Sequence, residues 1–402
     1  MQTAALLNQP RARQIMDGEG LDGLLGASFE NVYYLSNLWS ENFFVLPRQT
    51  QVYALVARED LATPHVVAML GEAANIFQAC QRSAPVYLYG RFFRAVSGEK
   101  PLTELEQFVR ERVVDGKPYA GAVDATVAAV EAADLTRGTI AYDERGMFPQ
   151  HVSELERRLS RARLVPGWDT FRRIRAVKTD EELRRLKGVL HLNERALLAA
   201  MGVARVGATE QDMIEEFERA VVSGGGKPMF TQIAFGRRGG HGNVMQRDVP
   251  LQKGELIRFD VGCMLDGYNS DIARNFALEE PDKRTRELYA AVLHGQEVAT
   301  RALRLGTTAS QVFETGLKAF REAGIPDYNR HHIGHGVGLE MYDVPTLAPG
   351  DNTPIEVGMV FEVETPYYEL GYGGLQPEDT VLVTEQGGQF LNGISRQLEV
   401  WG

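Results

Sequence analysis

The sequence is poor in cysteine: Cys80 and Cys263 are the only two in 402 residues. Two thiols are too few for a disulfide framework and fit a reducing compartment. Long apolar runs are missing as well, and no stretch approaches the roughly 18 apolar residues that mark a membrane span. The opening MQTAALLNQPRARQ has too short an apolar run for a signal peptide. The expectation is a cytoplasmic protein with no membrane partner. Positive charge is in deficit, with 43 Lys plus Arg against 54 Asp plus Glu and a net charge of −11. A nucleic-acid surface needs a basic face, so nucleic acid is not expected as a partner. The acidic excess reads first as solubility.

What is present describes an ordinary globule, 44% hydrophobic and 24% charged. At this length a single core stops growing, so two domains are expected. The first part alternates strand-like runs with helical patterns: LDGLLGA (21–27), QVYALVA (51–57), PVYLYG (85–90) and GTIAYDE (138–144). Between them Leu105, Phe108, Val109 and Val113 recur at helical spacing behind a capping box of Thr103 and Glu106. This predicts a small α/β domain. A Pro-Gly break at 166–167, a basic stretch and a second capping box, Thr179 with Glu182, place a boundary near residue 170 that divides 1–168 from 169–402. Further on, RVGATEQDMIEEFERAVVSGG from Arg205 is echoed by RLGTTASQVFETGLKAFREAG from Arg304, with Gly207 matching Gly306 and Thr209 matching Thr308. A duplicated α/β half, with a site between the halves, is the favoured reading.

The chemistry starts at FDVGCMLDGYNSDIAR, residues 259–274. Aspartate is depleted in strands, yet Asp260 and Asp271 sit among strand formers. Asp266-Gly267 is a strong two-residue hairpin signal. That turn sets Gly262 opposite Asp271 and Asp260 opposite Ala273, so the two aspartates share one face about 7–8 Å apart diagonally. Gly262 is expected to leave room there for a cation. From this pair alone the bland alternative, two solvated edge acids, stays open. Three of the eight histidines, His331, His332 and His335, crowd the glycine-rich HHIGHGVGLE. GMVFEVETPYY supplies Glu364, with Glu362 read as solvent-facing, and GYGGLQPEDTVLV supplies Glu378. Four carboxylates with one imidazole and no thiolate suit a hard or borderline divalent ion such as manganese. They exceed what one ion needs, whereas two ions about 3.5–4 Å apart can share bridging carboxylates and activate a water between them.

These residues resemble the pita-bread metallopeptidases, the family of prolidase, aminopeptidase P and methionine aminopeptidase. The resemblance spans nearly the whole chain, and GLDGLLGASFENVYYLSNL looks like the start of a creatinase-type N-terminal domain. It implies two divalent ions, manganese first with cobalt or zinc as alternatives. Asp260 in FDVG would chelate one ion and Asp271 in SDIAR would bridge both. His335 in GHGVGLE would bind the other, Glu364 would ligate and act as general base, and Glu378 in PEDT would bridge. His331 matches a substrate-side histidine. Two positions depart from the pattern. Tyr342 stands where the family has a histidine seven residues after the metal ligand, and Asn243 replaces one 17 residues before Asp260, with His241 two residues earlier.

The N-terminal domain points to the Xaa-Pro group, whose site accepts a tertiary amide with no N–H and a ring-fixed φ. The implied function is hydrolysis of proline-containing dipeptides. Aminopeptidase P is the alternative enzyme, and a non-catalytic peptide- or partner-binding protein the alternative of another class. A homodimer is implied, with Trp39 in LSNLWSENFF assigned to a substrate-side gate.

Overall fold

A computed structural model describes residues 5–47, 49–80, 84–243 and 247–401, and every count below refers to those residues. The chain divides between Arg175 and Ala176 into two units.

The first unit is built on a six-stranded sheet in the order Val86–Tyr89, Asp60–Met69, Tyr53–Ala57, Gly23–Gly26, Thr139–Tyr142, Arg163–Pro166. Tyr53–Ala57 runs antiparallel to both neighbours, and the remaining pairs are parallel. The four apolar runs of the sequence are strands here. The other two escaped because DLATPHVVAM is half exposed and interrupted by Pro64, while RLVP is a short edge with no buried position. Leu25, Tyr53, Leu55, Val67 and Ile140 pack against Ala125, Val130 and Leu155 of the covering helices. The Thr103–Glu106 capping box is formed.

The second unit has a nine-stranded mixed sheet, whose main path runs Asp343–Thr346, Gly334–Gly336, Val360–Glu364, Glu378–Thr384, Tyr268–Ala277, Leu256–Leu265, Lys227–Phe235. Two helix pairs pack with it, Asp180–Met201 with Glu210–Ser223 and Lys283–Ala302 with Ala309–Glu322. The internal echo extends to the backbone. Each second helix opens on a capping box, Thr209 with Asp212 and Thr308 with Gln311. Gly207 and Gly306, two residues before, take φ of 86° and 85°, the left-handed region that glycine enters without penalty. Each threonine also bridges a proline, Pro250 and Pro354. This is the duplicated α/β arrangement of a pita-bread unit.

Candidate active site

Register alone assembles the acidic cluster. Asp266 and Gly267 take φ of 50° and 82°, closing the two-residue turn between Leu256–Leu265 and Tyr268–Ala277. Asp260 then faces Ala273, Ala273 faces Glu378 on the next strand, and Glu378 faces Glu364 on the one after. Directly opposed residues share a face, so Asp260, Glu378 and Glu364 form a row across four strands. Two positions along lie Asp271, opposite Gly262, and Glu362, opposite His335. Six potential ligands thus point to one side of the sheet, although the hairpin that carries Asp260 and Asp271 is more than fifty residues from the strands that carry the rest.

Ligand atoms of Asp271, His335 and Glu378 lie within 4.8 Å of one another, and all three residues are buried. Asp271 Oδ1, His335 Nε2 and Glu362 Oε2 are buried without a hydrogen-bond partner among the described residues. Buried polar atoms are nearly always paired, so unmet acceptors on neighbouring carboxylates and an imidazole fit a bound cation. The histidine is prepared for one. His335 Nδ1 lies 3.0 Å from the Gly336 carbonyl, which can only accept, so Nδ1 carries the proton and Nε2 offers its lone pair. Burial pushes His335 down to about 4, keeping the ring neutral.

Without an ion the carboxylates disfavour one another. Burial raises Asp271 and Glu378 well above the usual carboxylate range, and the remaining acids of the cluster raise them further. Burial also pushes Glu364 up to about 7 against the pull of Arg330, and raises Asp260 against the pull of Arg258. Arg330 Nη2 lies 3.4 Å from Glu364 Oε2, and His332 Nδ1 lies 3.3 Å from Glu364 Oε1. The cluster opens into a cavity of about 290 Å³, lined in part by Asn243, Arg330, His331, Tyr342 and Tyr368. Tyr342 stacks on His335 with ring centroids 3.7 Å apart. Although Tyr342 is 53% exposed, partial desolvation at the cavity wall and then Glu364 raise its phenol, which stays protonated at neutral pH.

Several expectations change in detail. Gly262 does not leave room for an ion: a Cβ there would meet the Phe230 ring at 2.2 Å, so the missing side chain accommodates an aromatic ring from the neighbouring strand. Glu362 is not in water but fully buried, on the same face as Glu364 because it lies two residues away. His241 is exposed at the end of a short helical turn and does not line the cavity, whereas Asn243 does. Trp39 belongs to the first unit, packed edge-on to Phe29 at 5.0 Å and stacked on Phe44 at 5.6 Å. Sequence reasoning passed over Arg258, Arg330, Tyr368 and Gln376. Arg258 had a visible signal, a lone cation in an apolar strand with the same period-two phase as Asp260.

Residues 184–385 match the metallopeptidase family M24. The Xaa-Pro dipeptidase of Pyrococcus furiosus is 33% identical over 232 residues, covering 57% of this chain and 67% of the relative. Among solved structures, an Xaa-Pro dipeptidase from Bacillus anthracis superposes with a TM-score of 0.78 at 21% identity, covering 98% of this chain and 99% of that one. An X-Pro aminopeptidase from Thermotoga maritima gives 0.75 at 23%, again covering 98% and 99%. The chain belongs to metallopeptidase family M24, and it is a hydrolase that works with divalent metal ions.

Proposed function

We propose that the protein is a dinuclear, manganese-dependent Xaa-Pro dipeptidase, acting as a homodimer in the cytoplasm. The observation that carries the reading is the buried Asp271–His335–Glu378 set with its unmet ligand atoms, flanked by Asp260 and Glu364. Dipeptidase relatives and a cavity at the small end of the usual ligand-pocket range of about 300–1,000 Å³ favour a short substrate. Manganese is supported by oxygen-rich donors, and the cytoplasm by two free cysteines. Dimerisation is supported by exposed Phe44, Val45 and Leu46 beside Trp39, which we assign to a gate over a second copy's site. We read the first unit as a creatinase-type domain.

In this reading Asp260 would help hold one ion and His335 the other, and Asp271, Glu364 and Glu378 would complete the set. Ions held there would supply an activated water and polarise the scissile carbonyl. Glu364, made anionic by bound ions, would help hold them, take the proton of the attacking water and return it to the proline nitrogen. His331 and Asn243 at the cavity wall orient the substrate, with His241 able to reach it only by a turn of its loop. The Tyr342 phenol donates to the developing oxyanion.

Purified protein with manganese is expected to hydrolyse Ala-Pro faster than the tripeptide Ala-Pro-Ala. Turnover of the tripeptide alone would make it an aminopeptidase P. No turnover of either with manganese, cobalt or zinc would favour a peptide-binding protein. Tyr342→Phe keeps the stack on His335 but removes the donor, so kcat should drop by about 10²-fold with KM and metal content little changed. An unchanged kcat would leave Tyr342 with a packing role only.

A further inference from the structure

Arg258 is a fully buried cation beside the acidic cluster, and the chemistry above makes no use of it. Burying a guanidinium is expensive unless acceptors meet it. Here the side chain is 1% exposed. Nη1 donates to Asp260 Oδ2 at 3.3 Å, Tyr368 Oη at 3.1 Å and Gln376 Oε1 at 2.7 Å, and Nη2 donates to the Gly242 carbonyl at 2.7 Å. The network continues: the Tyr368 hydroxyl donates to Gln376 Oε1 at 2.7 Å, and Gln376 Nε2 donates to Glu378 Oε2 at 3.4 Å. The backbone closes tightly beside it: a Cβ on Gly374 would meet the Gly239 carbonyl at 2.2 Å as well as Arg258 Cδ at 3.1 Å.

We propose that Arg258 is a positioning residue for the metal centre. Its planar fork holds Asp260 by one oxygen, leaving the other for the ion. Through Gln376 it orients Glu378, and through Gly242 it fixes the loop that presents Asn243 to the cavity. Four acceptors in three segments require the geometry of a guanidinium. An ammonium offers a point charge with three donors and cannot span them. Partners that orient metal ligands typically change metal affinity by about 10–100-fold when lost.

The test is titration of cobalt(II) into metal-free wild type, Arg258→Lys and Gln376→Leu, followed by calorimetry and by the visible d–d bands. Arg258→Lys keeps the charge and is expected to weaken at least one cobalt equivalent by roughly 10–100-fold and to alter the bands. Gln376→Leu leaves the guanidinium in place, severs its link to Glu378 and should move both readouts the same way by less. It also provides the answer if Arg258→Lys does not fold. Unchanged affinity and spectrum in the folded variants would overturn the proposal even if their thermal midpoints fell, because a merely structural arginine would act only on stability. Wild type without a cobalt band would overturn it as well. The readout is the metal alone, so failure to cleave Ala-Pro would sink the dipeptidase reading and leave this one standing.

Discussion

Asp271→Asn is expected to abolish metal binding and activity together while leaving the metal-free fold at least as stable as wild type. The two effects have opposite signs because one charge serves opposing ends. Asp271 is buried, one of its oxygens has no partner among the described residues, and Asp260, Glu362 and Glu364 all disfavour its ionised form. Asparagine keeps the shape, removes the repulsion and offers no anionic oxygen to an ion. Changes in residues that only orient a ligand cost about 10–100-fold in metal affinity, so losing a residue proposed to hold the ions directly should cost more. A fall in kcat/KM of about 10³-fold, or about 4 kcal/mol of transition-state stabilisation, is the expectation. Metal content by mass spectrometry, Ala-Pro hydrolysis and a thermal melt in chelator check it together. A variant that keeps its metal, or whose metal-free form melts well below that of wild type, would show that Asp271 is a structural acid.

The second large effect is on the pH dependence of stability. In the metal-free protein, burial pushes Glu364 up to about 7 and raises Asp260, Asp271, Glu362 and Glu378. A carboxyl raised on folding contributes stability that is complete below its unfolded value, near 4, and is lost as pH rises through its folded value. Burial lowers His332 to about 3 and His335 to about 4, which works in the opposite sense below about pH 6.5, so chelated protein should lose stability chiefly from about pH 6.5 to pH 8. The slope is bounded at about 1.4 kcal/mol per pH unit for each proton that the folded state retains and the unfolded state has released. Bound ions replace those protons, so stabilisation by manganese should grow with pH over the same window. Glu182, also pushed up to about 7 by burial but paired with Tyr268 at 3.2 Å away from the cluster, contributes a slope that metal does not remove. Thermal melts in chelator and in manganese at three or four pH values test this. A chelated midpoint that rises across the window, or manganese stabilisation independent of pH, would contradict it.

Both predictions depend on features with different origins. The hairpin at Asp266-Gly267, its register, the capping boxes at Thr103 and Thr179 and the repeated threonine caps at Thr209 and Thr308 were legible in the chain. A two-residue turn dictates which residues face each other, and a cap needs only its own side chain and an amide three positions on. These interactions close within a few residues, so no distant partner can overrule them. The placement of Asp260 and Asp271 on one face follows from the turn alone.

What only the tertiary structure decided involves partners far apart in sequence. Glu362 alternates with apolar residues as a solvent-facing strand acid would, and only the neighbouring strands put its side in the interior. The space above Gly262 goes to Phe230 because Lys227–Phe235 happens to be the adjacent strand. Arg258 finds Gln376 and Tyr368 more than a hundred residues away, and Tyr342 finds the face of His335 only once its loop has folded back. The sequence by itself determined the kinds of ligand, their local phase and the turns that aim them. Which face is buried, and therefore which charges repel, which are paired and which atoms are left for an ion, depends on strand order, a property of the whole sheet that no local window contains.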